Sequence, residues 1–162
     1  MTNEQYTWEP WGTGYDERVR EAAHAWIGTP YQAGQRCRGA GVDCVQLIAG
    51  VMDSLASKVE PTFVPRLPQL ASIHSTRTAY RSITALLRAY KPRVVRDFTL
   101  RPGDVLVARA VRNPGSLKRP GHAMIVGADP YSVIHAVKPR VAKSSVHGVE
   151  EIIRVYRPGW AL

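Results

Sequence analysis

Cys44, His122 and His135 are the residues of this chain whose types suit nucleophilic catalysis. A thiol nucleophile needs a base to take its proton, and the base needs a third group to fix its tautomer and orientation. Cys44 stands in GVDCVQLIAGVM, residues 41–52, where a glycine-rich loop gives way to an apolar run. Val45, Leu47, Ile48, Val51, Met52 and Leu55 fall at helical spacing. Asp43 is a good N-cap for that helix. Cys44 then occupies the first turn, where free backbone N–H groups and the helix dipole favour an anion and lower a thiol pKa. That placement predicts labelling of Cys44 by iodoacetamide well below the ordinary thiol pKa of ~8.5, unlike Cys37. Position alone equally allows a small buried cysteine that opens a core helix.

The histidines bear on that choice. HAMIVGADPYSVIHAV, residues 122–137, reads as two strands around a turn. A turn centred between Ala128 and Asp129 sets His122 directly opposite His135, with Cβ atoms ~4.5–5.5 Å apart. A slip of one residue would remove the opposition. Spacing assigns one of the two as the base without saying which; unrelated sheet histidines are the alternative. His24 in the first helix, His74 in a proline-rich crossing and His147 in a loop read as surface or packing residues. Their scatter offers no metal-binding spacing, so neither a metal nor any other cofactor is expected.

The elements that must position these groups divide into helices first and strands afterwards. Residues 1–14 form an aromatic arm in which Tyr6, Trp8 and Trp11 dock on the domain without regular structure. Asp16 caps a helix running to about Ile27, which Gly28, Thr29 and Pro30 stop. The Cys44 helix extends to about Ala56. Residues 57–74, with three prolines, form an irregular crossing. A third helix from Thr76 to Ala89 places Ala79, Tyr80, Ile83, Leu86 and Leu87 on one stripe, and Lys91-Pro92 ends it. Residues 101–110, 122–127, 131–137 and 151–157 alternate as strands. The pattern predicts an α+β domain whose N-terminal helices pack on an antiparallel sheet.

At 162 residues, 44% hydrophobic and 22% charged, the chain suits one ordinary globular domain. No stretch approaches the ~20 apolar residues of a membrane span, and the N-terminus does not read as a secretory signal. The expected location is therefore the cytoplasm where the chain is made. The net charge of +9 is carried wholly by residues 61–162, since acidic residues outnumber basic ones before that. Such a basic portion suits a polyanionic partner, nucleic acid or an anionic wall polymer, or simply a well-solvated surface. No nucleic-acid-binding signature accompanies it, so no nucleic-acid partner is expected. Two cysteines make no disulfide framework; a single Cys37–Cys44 bridge is geometrically open.

GTPYQAG, GVDC opening a helix, RPGDVLV, GHAMIVG and VIHAV follow one another in order. This order resembles the NlpC family of cell-wall cysteine peptidases, whose fold is papain-like. The likeness runs over about residues 17–137 with a weaker tail to Trp160. It resembles most the branch found in tailed phages and prophages. The resemblance implies one peptidase domain, with 1–14 as the arm, 15–137 as catalytic core and 138–162 as C-terminal strand and tail. It implies Cys44 as nucleophile, His122 as general base and His135 as the residue orienting His122. Tyr31 would help the Cys44 N–H stabilise the oxyanion, and Asp43 matches the acidic residue before the nucleophile.

Val45-Gln46 departs from the small pair usual after the nucleophile, placing Gln46 behind Cys44 or in the cleft. The implied substrate is the peptidoglycan stem peptide, cut at the γ-D-glutamyl–diamino acid bond. Phage tail proteins are the implied partners, with a virion tail as destination. Rival expectations are a mainly structural tail-tip protein, using the arm and basic face to dock, and an amidase or acyltransferase acting on another substrate.

Overall fold

The computed structural model describes residues 3–59, 76–109 and 120–161. In chain order the elements are β1 (Thr7–Trp8), α1 (Gly14–Ala23), a 3-10 turn (His24–Trp26), β2 (Arg36–Cys37), β3 (Gly41–Val42), α2 (Cys44–Val59) and α3 (Thr76–Ala89). Strands β4 (Arg93–Val94), β5 (Thr99–Leu100), β6 (Val105–Arg109), β7 (Pro120–Val126), β8 (Ser132–Ala136), β9 (Val141–Ser145) and β10 (Ile152–Arg157) follow. Six of them form one antiparallel sheet in the order β4-β10-β6-β7-β8-β9. The α+β expectation holds, helices preceding the main sheet and packing on it.

The centre of that sheet is buried on both faces. Val105, Val107, Ala123, Ile125, Ile134 and Ala136 share a core with Val19, Ile48, Leu55 and Leu86 of the helices. The alternate residues Leu106, Met124, Val126 and Val133 share a second core with Tyr6, Leu100, Val146 and Val155. The strands are expected to alternate, whereas burial on both faces makes Val105–Ala108 and Ala123–Val126 continuous apolar runs. In α3, Ile83, Leu86 and Leu87 are buried as the stripe predicts. The crossing expected over 57–74 lies outside the described residues from 60 onward, as does His74.

The first helix begins earlier than its sequence suggests. Thr13 is the N-cap, its hydroxyl accepting from Tyr15 N–H, and the α-helix gives way to the 3-10 turn after Ala23. Asp16 instead reaches back to accept from the N–H groups of Trp11 and Gly12 at 3.0 and 2.9 Å.

The arm docks as expected but includes a short strand, β1, parallel to β5. Trp8 Nε1–H donates to Gly127 O, and Trp11 Nε1–H to Pro102 O. The guanidinium groups of Arg101 and Arg157 lie over the Trp11 ring, 4.9 and 5.3 Å from its centroid. Arg157 in turn donates through Nε and Nη2 to both carboxylate oxygens of Asp104, at 2.8 and 2.7 Å. The RPGD motif is thus an anchor for β10 and the arm.

Sequence reading leaves 138–162 as a single strand and tail, whereas two strands, β9 and β10, occupy it. The outer side of β9 is met by the loop after α1. Gly28 N–H donates to Val141 O, Val141 N–H to Thr29 O and Tyr31 N–H to Pro139 O, all at 2.8–2.9 Å.

Candidate active site

Asp43 sets the direction of α2, with its side chain buried. Its Oδ1 accepts from Gln46 N–H at 2.8 Å, the N-cap bond, and its Oδ2 accepts from Gly34 N–H at 2.7 Å. One carboxylate thereby ties the nucleophile's helix to the glycine-rich loop, which is a positioning role. Gly41 lets that loop fold back on itself: a Cβ there would overlap the Gln35 side chain and approach Gln32 Cβ to 2.8 Å. Gln46 is buried.

Cys44 is 5% exposed. Its thiol lies against the backbone of β7, accepting from Ala123 N–H. The strand pattern explains why that amide is available. Gly127 N–H bonds Ser132 O on the β8 side, and Val126 N–H bonds Asp104 O on the β6 side. Amides alternate along a strand, so Ala123 N–H also points toward β8. The register between β7 and β8 covers Ile125↔Ile134 and Val126↔Val133. Past Ile125 the two strands open, and the thiol takes the amide there.

The two histidines face each other across the same opening. His122 Nε2 and His135 Nδ1 are 3.0 Å apart, with ring centroids at 5.2 Å. The register differs from the expected one: extended, it sets Met124 opposite His135, a shift of two residues. A shift of two keeps side chains on the same face. The rings therefore meet diagonally rather than head-on. His135 Nε2 lies 2.8 Å from Ser144 Oγ on β9.

Burial controls the protonation of all three groups. Loss of solvent, then the charge of Asp43, pushes the Cys44 thiol up to about 11, against the N–H bonds that favour thiolate. Burial and then the neighbouring His135 push His122 down to about 4, with Glu150 acting in the opposite sense. Burial lowers His135 as well, again opposed by Glu150. At neutral pH the resting set is a neutral thiol and two neutral imidazoles. This corrects the expectation of a standing thiolate: desolvation outweighs the helix terminus. Iodoacetamide should label exposed Cys37 first at pH 7, with Cys44 labelling slow and rising steeply toward pH 11. Mass spectrometry of each cysteine peptide against pH tests this; fast Cys44 labelling at pH 6 would restore the thiolate. Both cysteines are free, one exposed and one buried, so they form no bridge.

Tyr31 forms a parallel bridge with Val42, which brings it to the loop leading into Cys44, with Lys138 Nζ 5.7 Å from its ring centroid. His24 is a packing residue, as expected: its Nε2 accepts from Ala128 N–H at 3.0 Å and steadies the β7–β8 turn. His147 sits in a loop against Tyr131, ring centroids 5.1 Å apart. Sequence reasoning missed Ser144 and the Ala123 amide. The signal for Ser144 was weak, because VAKSS scarcely alternates.

No protein-family model matches the sequence, and no curated protein matches it. A solved structure from Staphylococcus aureus, described as similar to a lipoprotein of the NLP/P60 family, does match. The TM-score is 0.60 at 16% identity, over 93% of this chain and 43% of that one. The fold is papain-like. It is shared with that NLP/P60 protein, of which this chain spans less than half the length. Cys44 opens α2 and His122 lies on β7.

Proposed function

We propose that the chain is a cysteine endopeptidase that hydrolyses amide bonds in peptidoglycan stem peptides, with the γ-D-glutamyl–diamino acid bond as target. The observation that carries the reading is the arrangement at the opening between β7 and β8. The Ala123 backbone acts on the Cys44 thiol, one residue along β7 from His122, whose Nε2 is already held by His135. That leaves His122 Nδ1 to receive the thiol proton.

In this mechanism Cys44 Sγ attacks the scissile carbonyl as its proton passes to His122 Nδ1. The resting thiol is neutral, so proton transfer accompanies attack rather than preceding it. The oxyanion is stabilised by the Cys44 N–H at the helix terminus and by Tyr31. His122 then protonates the leaving amine, giving a thioacyl-enzyme. Water, deprotonated by His122, attacks the thioester and releases the acid and the free thiol.

A role in a phage tail belongs to the same proposal, with the wall as substrate and tail proteins as partners. The rival tail-tip scaffold draws less support, because the arm it would use is occupied. Tyr6 is 7% exposed, and Trp8 and Trp11 spend their indole N–H groups on the domain itself.

Digestion of purified peptidoglycan should release stem-peptide fragments with new amino termini and no new reducing ends, in the presence of EDTA as well as without it. Mass spectrometry of the muropeptides reads this directly. Reducing ends without new amines would refute the peptidase reading, and an absence of products from every wall type would favour the scaffold.

A further inference from the structure

We propose that Ser144 is a positioning residue for the catalytic pair, its hydroxyl selecting the histidine tautomers in which His122 can act as base. The inference rests on the catalytic reading of Cys44, His122 and His135 above.

Tautomer logic links the four groups. To accept a proton at Nδ1, neutral His122 must carry its own proton on Nε2. That Nε2–H then donates to His135 Nδ1, 3.0 Å away, so His135 must carry its proton on Nε2. The His135 Nε2–H needs an acceptor, and Ser144 Oγ stands 2.8 Å from it. In the reverse sense Ser144 donates to His135 Nε2, the His135 proton moves to Nδ1, and the His122 proton faces the thiol. His122 could not then act as base. Removing the hydroxyl removes the group that holds His135 Nε2–H in place.

The sheet places Ser144 for this task. On β9 Ala142 is opposite His135 and Ser144 opposite Val133, so Ser144 lies two residues along on the same face. His122 is likewise two residues from the β7 position opposite His135. The three side chains therefore run as a diagonal across β7, β8 and β9. An uncharged hydroxyl also fits the chemistry. A carboxylate at this point would draw His135 toward imidazolium, and a protonated His135 could not accept from His122. Glu150 is the charged residue whose field reaches both rings, without a hydrogen bond to either among the described residues.

The test uses the full chain with 15N-labelled histidine. Long-range 1H–15N correlation spectra at pH 7 should show His122 and His135 both as neutral Nε2–H tautomers. In Ser144→Ala the His135 tautomers should become mixed. Stem-peptide kcat should fall about tenfold with KM unchanged, about the worth of one neutral hydrogen bond. Ser144→Thr should restore both readouts. A wild-type His135 protonated on Nδ1, or an alanine variant with unaltered tautomers and kcat, would overturn the proposal. If the wild type cleaves no stem peptide but the tautomers depend on Ser144 as described, the relay stands and the substrate reading fails.

Discussion

His122→Ala should lower kcat/KM for stem-peptide cleavage by at least about 10³-fold, the usual scale for deleting a general base. The fold should survive, since His122 lies near the open end of β7 and is only partly buried as a residue. His135→Asn should cost much less. An asparagine Oδ1 can still accept from His122 Nε2–H, so the orienting bond survives in altered geometry. The wild-type rate should climb as pH rises through about 4, where His122 loses its proton and becomes a base. Raising the pH increases the competent form, so the acid limb ascends. Rates from quantified muropeptides would show all three effects. An inactive His135→Asn beside an active His122→Ala would reverse the assignment.

The largest effect on stability should come from Asp104→Ala. The Asp104 and Arg157 side chains are 1% and 6% exposed and share a two-point ion pair. Arg157 also donates to Thr99 O at 2.9 Å and lies against Trp11, so one guanidinium joins β6, β10, β5 and the arm. Truncating the carboxylate leaves a buried cation unpaired, which costs about 3–5 kcal/mol. For a chain of this length that lowers Tm by roughly 10 °C. Replacing both partners with apolar residues of similar size should cost less than the single truncation, because no charge is stranded. Urea denaturation of the three proteins checks the order; a loss under about 1 kcal/mol for Asp104→Ala would show the pair to be incidental.

The parts of this molecule legible in its sequence are those fixed by local rules. The Asp43 cap and the stripe of α3 follow from residue type and helical period; the cap is present, and Ile83, Leu86 and Leu87 of the stripe are buried, the side chains of Ala79 and Tyr80 lying outside what is described. The histidine pair was legible only because parity is forgiving. The turn centre was displaced, yet a two-residue shift preserves the face, and imidazole is long enough to reach diagonally. What stayed hidden depends on contacts distant in the chain. Ser144 acquires meaning only when β9 is laid beside β8, and Asp104 only when β10 returns beside β6. Charge state was the least legible property. A helix terminus can be seen in a sequence, whereas the burial that outweighs it at Cys44 cannot.

The loop after α1 covers the flank of β9, and this ties solubility to the approach to the nucleophile. A bare outer strand offers unpaired amides and carbonyls to any other chain, and is a common start for aggregation. Here residues 28–31 occupy those groups at Val141 and Pro139, and the same segment carries Tyr31 toward Cys44. Gly28 makes the turn into it at φ +92°, a conformation that other residues adopt only under strain. A lesion that loosens this segment would therefore disarm the site and uncover a sticky edge together. Loss of activity in such variants would arrive with precipitation, and inactive but well-behaved protein would have to come from changes elsewhere.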